Sequence, residues 1–183
     1  MKIGLAILLS ILLLSSVNHA QTSKTQRYNP FSGTIVLSVE GGTTLANTDY
    51  SGLGVDYLGR LSIEYFFPAW AKSGFGLRAF GSAGFLKGND SSMEPEEFRT
   101  NITSIGAGVI FNLSINDVAF PYLFAGIASL SFDPKGEGGV KLPNNESGTY
   151  NTSEINYIGE LGVRYPVTEN LSVNGNIGVQ ISP

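Results

Sequence analysis

From Ser32 onward the apolar residues of this chain recur at every second position, a period that belongs to strands and not to amphipathic helices. The last run is the most regular. Leu171, Val173, Ile177, Val179 and Ile181 alternate with Ser172, Asn174, Asn176, Gly178 and Gln180. Upstream, Ile35, Leu37 and Val39 oppose Thr34, Val36, Ser38 and Glu40. Leu61, Ile63, Tyr65 and Phe67 oppose Arg60, Ser62, Glu64 and Phe66. Leu77, Ala79, Ala83 and Phe85 stand against Gly76, Arg78, Ser82 and Gly84. Ile105, Ala107, Val109, Phe111 and Leu113 stand against Ser104, Gly106, Gly108 and Asn112. Tyr157, Leu161, Val163 and Tyr165 face away from Glu160, Gly162 and Arg164. Phe120–Phe132 is less regular, and its apolar face reads as Tyr122, Phe124, Ala128, Leu130 and Phe132.

A β-sandwich in water would alternate in the same way, so the choice of architecture rests on other features. Charged residues make up only 14% of the 183 and mean hydropathy is +0.10, whereas a soluble domain carries about a quarter charged residues. No long apolar run follows residue 20, which excludes a second membrane-spanning helix. The runs approach the roughly 9–11 residues of a tilted membrane strand, against about 5–6 for an average strand. The connections also alternate in length. Phe67 to Gly74, Asn112 to Phe120 and Pro166 to Leu171 are short, while Gly41 to Tyr57, Gly88 to Ser104 and Pro134 to Glu154 are long and polar. Short periplasmic turns and long external loops are the habit of outer-membrane barrels, as are abundant glycine and aromatics; here they are 23 residues and 11%.

The expected fold is therefore all-β, an antiparallel up-and-down transmembrane β-barrel that starts from the periplasm. A barrel of this kind needs an even number of strands, and an open edge in lipid leaves backbone groups unsatisfied. Eight strands are expected and seven are found, so either one strand is missed in this reading or the chain stops before the last one. The chain closes on Gln180-Ile181-Ser182-Pro183 without a terminal aromatic residue, and the natural protein is expected to continue past Pro183.

Ahead of the alternating region, Lys2 precedes an apolar stretch from Ile3 to Leu14, and Ser15 to Ala20 then turns polar and ends small. That is a secretory signal pattern. The domain expectation is a signal peptide at 1–20 with cleavage after Ala20, a lead-in at 21–31 and a barrel at 32–183.

Several kinds of chemistry are excluded. There is no cysteine, and the one histidine, His19, lies within the signal. The mature chain thus lacks the usual zinc ligands, the Ser-His and Cys-His nucleophile arrangements and the usual base of neutral-pH chemistry. No enzyme activity, cofactor or metal is expected. The formal charge is −4, and loss of Lys2 brings the mature chain to about −5. With no basic stripe along the sequence, nucleic acid is not an expected partner. Outer-membrane lipid and the barrel-assembly machinery are.

Arg60, Glu64, Arg78, Glu160 and Arg164 fall on the faces assigned to the lumen. An eight-stranded barrel is just wide enough for side chains to fill it, and charges buried there must pair. The five are read as an interior ion-pair network that plugs the barrel; a narrow gated ion path is the functional alternative. The loop Asn89–Glu97 holds Asp90, Glu94, Glu96 and Glu97 but lacks the ordered spacing of a calcium loop. It reads as a solvated acidic loop. The polar stretch Asp133–Asn151 suits an exposed, variable loop. Trp70, with Tyr65, Phe66 and Phe67, reads as part of an aromatic belt.

Certain segments resemble the outer membrane protein A-like eight-stranded barrels of the type common in Bacteroidetes and Chlorobi-like bacteria. They are Ile63-Glu64-Tyr65-Phe66-Phe67 with Gly74-Phe75-Gly76-Leu77-Arg78, Pro121 to Gly126 with Phe132-Asp133-Pro134-Lys135, and Gly159 to Tyr165 with Thr168 to Val173. The resemblance spans nearly the whole mature chain and brings no catalytic signature. Many members add a peptidoglycan-binding domain, and nothing in this sequence matches it. The function expected is a non-enzymatic outer-membrane barrel with an envelope-integrity or surface-interaction role. The alternatives are a narrow pore or small-ligand transporter, a membrane-embedded lipid enzyme, and a soluble periplasmic lipid carrier with its apolar residues inside.

Overall fold

The alternating runs become long strands because each places β-branched and aromatic side chains on one face of the pleat and small or polar ones on the other. The computed structural model describes residues 5–10, 16–18, 30–46, 55–68, 72–89, 97–115, 118–135, 152–168 and 171–182. The strands are β1 (Leu5–Ser10), β2 (Ser16–Asn18), β3 (Ile35–Ala46), β4 (Val55–Phe66), β5 (Ser73–Asn89), β6 (Glu97–Leu113), β7 (Phe120–Lys135), β8 (Ser153–Pro166) and β9 (Leu171–Ile181). The seven strands read from the sequence are β3 to β9. Each pairs antiparallel with the next, which makes an up-and-down sheet curled on itself.

Its two edges, β3 and β9, do not pair with each other. Both pair antiparallel with β1 and with β2, in the place an eighth strand would take. These two short strands fall within the twenty residues read as an export signal.

The sheet is apolar on its outside. Ile35, Leu61, Leu77, Ile105, Val109, Leu123, Ile127, Leu161 and Ile177 are all exposed, Ile105 at 75%. Side chains of the opposite parity point into the lumen and are buried, among them Glu40, Arg60, Ser62, Glu64, Arg78, Ser104, Glu160, Arg164 and Asn174. A water-soluble barrel would be turned the other way, with its apolar residues inside.

Two expectations are corrected. In β7 the residues read as the lipid-facing set point inward: Phe124 is fully buried and Tyr122 nearly so, while Leu123 and Ile127 stand outside at 50% and 55% exposure. Both faces of β7 are apolar, and its inward aromatics are held by arginines of other strands. The first two long connections are also shorter than expected. Gly41 to Leu45 continue the ladder with Val55 to Gly59, and Ala83 to Asn89 pair with Glu97 to Thr103. Glycine and threonine there look like loop, but cross-strand hydrogen bonds carry the hairpins on. The intervening residues 47–54 and 90–96, with the acidic loop's Asp90, Glu94 and Glu96, lie outside the described residues, as does Trp70.

Candidate functional site

The lumen is filled from the short-turn end upward. Just ahead of β3, Gly33 takes a positive φ of 69°, the left-handed conformation that glycine adopts without strain. The turn is fixed by the Thr34 N–H and hydroxyl, both donating to the Phe31 carbonyl, at 3.1 and 2.6 Å. It places Phe31, which the sequence reading leaves in the lead-in, inside the mouth of the barrel. Its ring lies 5.8 Å from Phe66 and 5.1 Å edge-on from Phe120, and all three are buried.

Above this aromatic seal runs an unbroken chain of charges. Arg164 Nη2 donates to both oxygens of Glu64, at 3.0 and 2.8 Å. Arg78 binds Glu64 through Nε at 2.8 Å and reaches Glu160 through Nη1 at 2.8 Å. Arg60 pairs with Glu160 and with Glu40, its Nε donating to Glu40 at 2.6 Å. Asn174 and Asn176 donate to Glu40 from β9 at 3.4 and 3.5 Å. All six charged side chains are almost completely buried, and three arginines against three glutamates leave no net charge.

Strand register explains the order. Glu40 stands directly opposite Arg60, and Glu64 directly opposite Arg78, so each inward face supplies its own cross-strand ion pair. Glu160 and Arg164 then join the two pairs from the far wall. Aromatic faces pack the flanks. Arg78 lies 4.9 Å over both Tyr122 and Phe124, and Arg164 lies 4.9 Å over Phe31 and 5.5 Å over Tyr122. Tyr122 has room because Gly162 stands opposite it, and a methyl group there would collide with the phenol ring.

The structure thus brings together Arg60, Glu64, Arg78, Glu160 and Arg164, the five residues singled out from the sequence, and adds Glu40 with Phe31, Tyr122 and Phe124. Glu40 had a signal. Three arginines against two glutamates leave one positive charge to be balanced, and Glu40 already lay on the inward face of its strand.

At the end that carries the longer connections a small cavity of about 60 Å³ sits on the axis, with Arg60 and Glu160 as its floor. Leu58, Phe80, Leu86, Ile102 and Ile158 line its apolar walls. Its volume suits about two waters or a short apolar group. No cluster of metal-ligating side chains occurs among the described residues.

An apolar exterior around a lumen packed with matched charges is the arrangement of an outer-membrane β-barrel protein. The chain belongs to the outer membrane protein beta-barrel domain family, whose model matches residues 6–181. No curated protein matches it.

Proposed function

We propose that this barrel serves the bacterial outer membrane as a structural or surface-interaction component with no catalytic role, and that a cleaved signal peptide delivers it there. The observation that carries this reading is the charge chain itself. It crosses the lumen with every member paired and almost completely buried. A conducting pore holds its charges in water so that ions pass them; here Glu64 and Arg78 are 0% exposed. On this reading the short-turn end faces the periplasm, and the longer connections are displayed outside. The finer kinship with outer membrane protein A-like barrels of the Bacteroidetes type belongs to the same proposal, resting on the segments quoted above.

The test combines fractionation with electrical recording. Recovery in the outer membrane, a boil-dependent shift in gel mobility and no steady current in planar bilayers are the expected results. Stable unitary conductance from the folded protein would refute the plug and favour the narrow-pore alternative. Recovery without detergent would refute membrane insertion.

A further inference from the structure

Four large apolar side chains break the polar pattern of the lumen above the charge chain. Leu58, Phe80, Ile102 and Ile158 share the inward parity of Arg60, Arg78, Ser104 and Glu160 on their own strands, and all four are buried. Inward groups of this size normally close a core to the density of an organic crystal. Here they stand apart and wall the cavity of about 60 Å³, which is partly enclosed by the described residues.

The polar groups around this space are of two kinds. Those at the floor are fully engaged. All three guanidinium nitrogens of Arg60 donate to Glu160 or Glu40, and Glu160 also accepts from Arg78 at 2.8 Å. The floor is therefore balanced in charge and offers no free partner to an anion or a cation. Two groups on the walls are different. Ser104 Oγ on β6 and Gln180 Nε2 on β9 are buried and have no hydrogen-bond partner among the described residues. Ser104 is the deeper of the two, at 4% exposure. Gln180 lies two positions beyond Gly178, which stands opposite Glu160, toward the end with the longer connections.

A buried polar atom without a partner is costly and calls for a cause. Water alone supplies a poor one, because a buried water wants about three polar neighbours and a cavity with apolar walls stays dry. We propose that the cavity binds a small uncharged aliphatic molecule carrying a hydroxyl or carbonyl oxygen. Its alkyl part packs against Leu58, Ile102 and Ile158, its oxygen bonds to Ser104, and Gln180 offers a second donor nearer the mouth. A benzene-sized guest takes about 150 Å³, so the enclosed part of this one is limited to roughly three or four heavy atoms. The charge chain closes the floor, which makes the site a dead end and not a passage. The inference needs the barrel but not the envelope role.

The test uses the full chain refolded into phosphatidylcholine nanodiscs with methyl-labelled isoleucine and leucine, after heat-modifiable mobility has confirmed folding; failure to fold at that step would count against the barrel reading itself. The probes are 2-butanone, pentane, butyrate and butylammonium. The expected result is saturable nuclear Overhauser contact between 2-butanone and the methyls of Leu58, Ile102 and Ile158, with no saturable contact at the outward Ile105 and Ile127. Pentane should bind more weakly, and the two ions should not compete. Ser104→Ala should weaken 2-butanone binding about fivefold, the loss of one hydrogen bond between neutral groups. Ile158→Phe should fill the space and abolish binding; if that larger residue prevents folding, Ser104→Ala still decides. Absence of saturable contact at the cavity methyls, equal binding of pentane, competition by either ion, or unchanged affinity in Ser104→Ala would each overturn the site.

Discussion

Replacing Glu64 by glutamine tests whether the lumen charges act as a dry network or as solvated groups in a narrow channel. Glu64 is the junction of the lower half of the chain. It receives Arg78 at 2.8 Å and Arg164 at 2.8 and 3.0 Å, and it is completely buried. Glutamine keeps the volume and one acceptor but removes the charge, so three arginines then face two glutamates. Arg78 keeps Glu160. Arg164 keeps only aromatic faces, those of Phe31, Phe66 and Tyr122. Removing one partner of a buried pair costs about 3–5 kcal/mol, and the retained acceptor and rings place this case near about 3 kcal/mol. A hydrated lumen predicts less than about 1 kcal/mol, the value of an exposed pair. Denaturant unfolding from lipid vesicles, followed by the fluorescence of the single tryptophan Trp70, separates the two. Arg164→Met should cost a similar amount. The double variant restores neutrality and should be more stable than the sum of the singles predicts, by about 1–3 kcal/mol. Two singles within about 0.5 kcal/mol of the wild type, with additive effects, would refute the dry-network reasoning.

Three further outcomes follow from the facing of the strands and the packing of the lumen. Ile177→Arg, on the exposed face of β9, should cost about 2–4 kcal/mol near the bilayer midplane, whereas Asn176→Ser on the inward face loses only a long hydrogen bond. Comparable damage in the two, measured by refolding yield in vesicles, would reverse the inside and outside assignment. Gly162→Val should displace the Tyr122 ring from Arg78 and Arg164 and cost about 1–3 kcal/mol by overpacking, and unchanged stability in the same assay would count against that contact. Phe31→Ala removes the buried ring at the short-turn mouth and should cost about 3–5 kcal/mol. If it costs nothing, Phe31 does not seal the barrel.

The sheet was legible because strand parity is a binary code. Once Leu61, Ile63 and Tyr65 are set outside, Arg60, Ser62 and Glu64 must point inward, and a slip by one residue would reverse every position. Parity gives direction but not partners, and the misreadings occurred where partners decide. In β7 both faces are apolar, since Leu123 and Ile127 stand outside while Tyr122 and Phe124 meet the guanidinium of Arg78 from β5. Arg78 and Tyr122 are 44 positions apart, so no local window shows that an aromatic residue belongs in a polar lumen. The hairpin extensions at Gly41 to Leu45 and Glu97 to Thr103 were hidden for the same reason, because their stability lies in the ladder and their composition resembles a loop.

The six strand cations show where sequence reasoning stops. A lumen that excludes water has to match each arginine with a carboxylate, because an unpaired buried ion is too costly to keep. That constraint makes the interior set countable from the sequence, and the count calls for Glu40. The outward cations of the strands carry no such constraint, since water and counter-ions screen them. Lys87, Arg99 and Lys135 therefore leave no trace in composition or spacing and emerge only when the register sets them side by side. Pairing is what lets the interior arginines and glutamates stay buried. Raising ionic strength to 1 M, where the Debye length falls to about 3 Å, should therefore leave the unfolding free energy of the barrel nearly unchanged, because the lumen network is shielded from ions; a marked loss of stability with salt would mean that its charges are solvated.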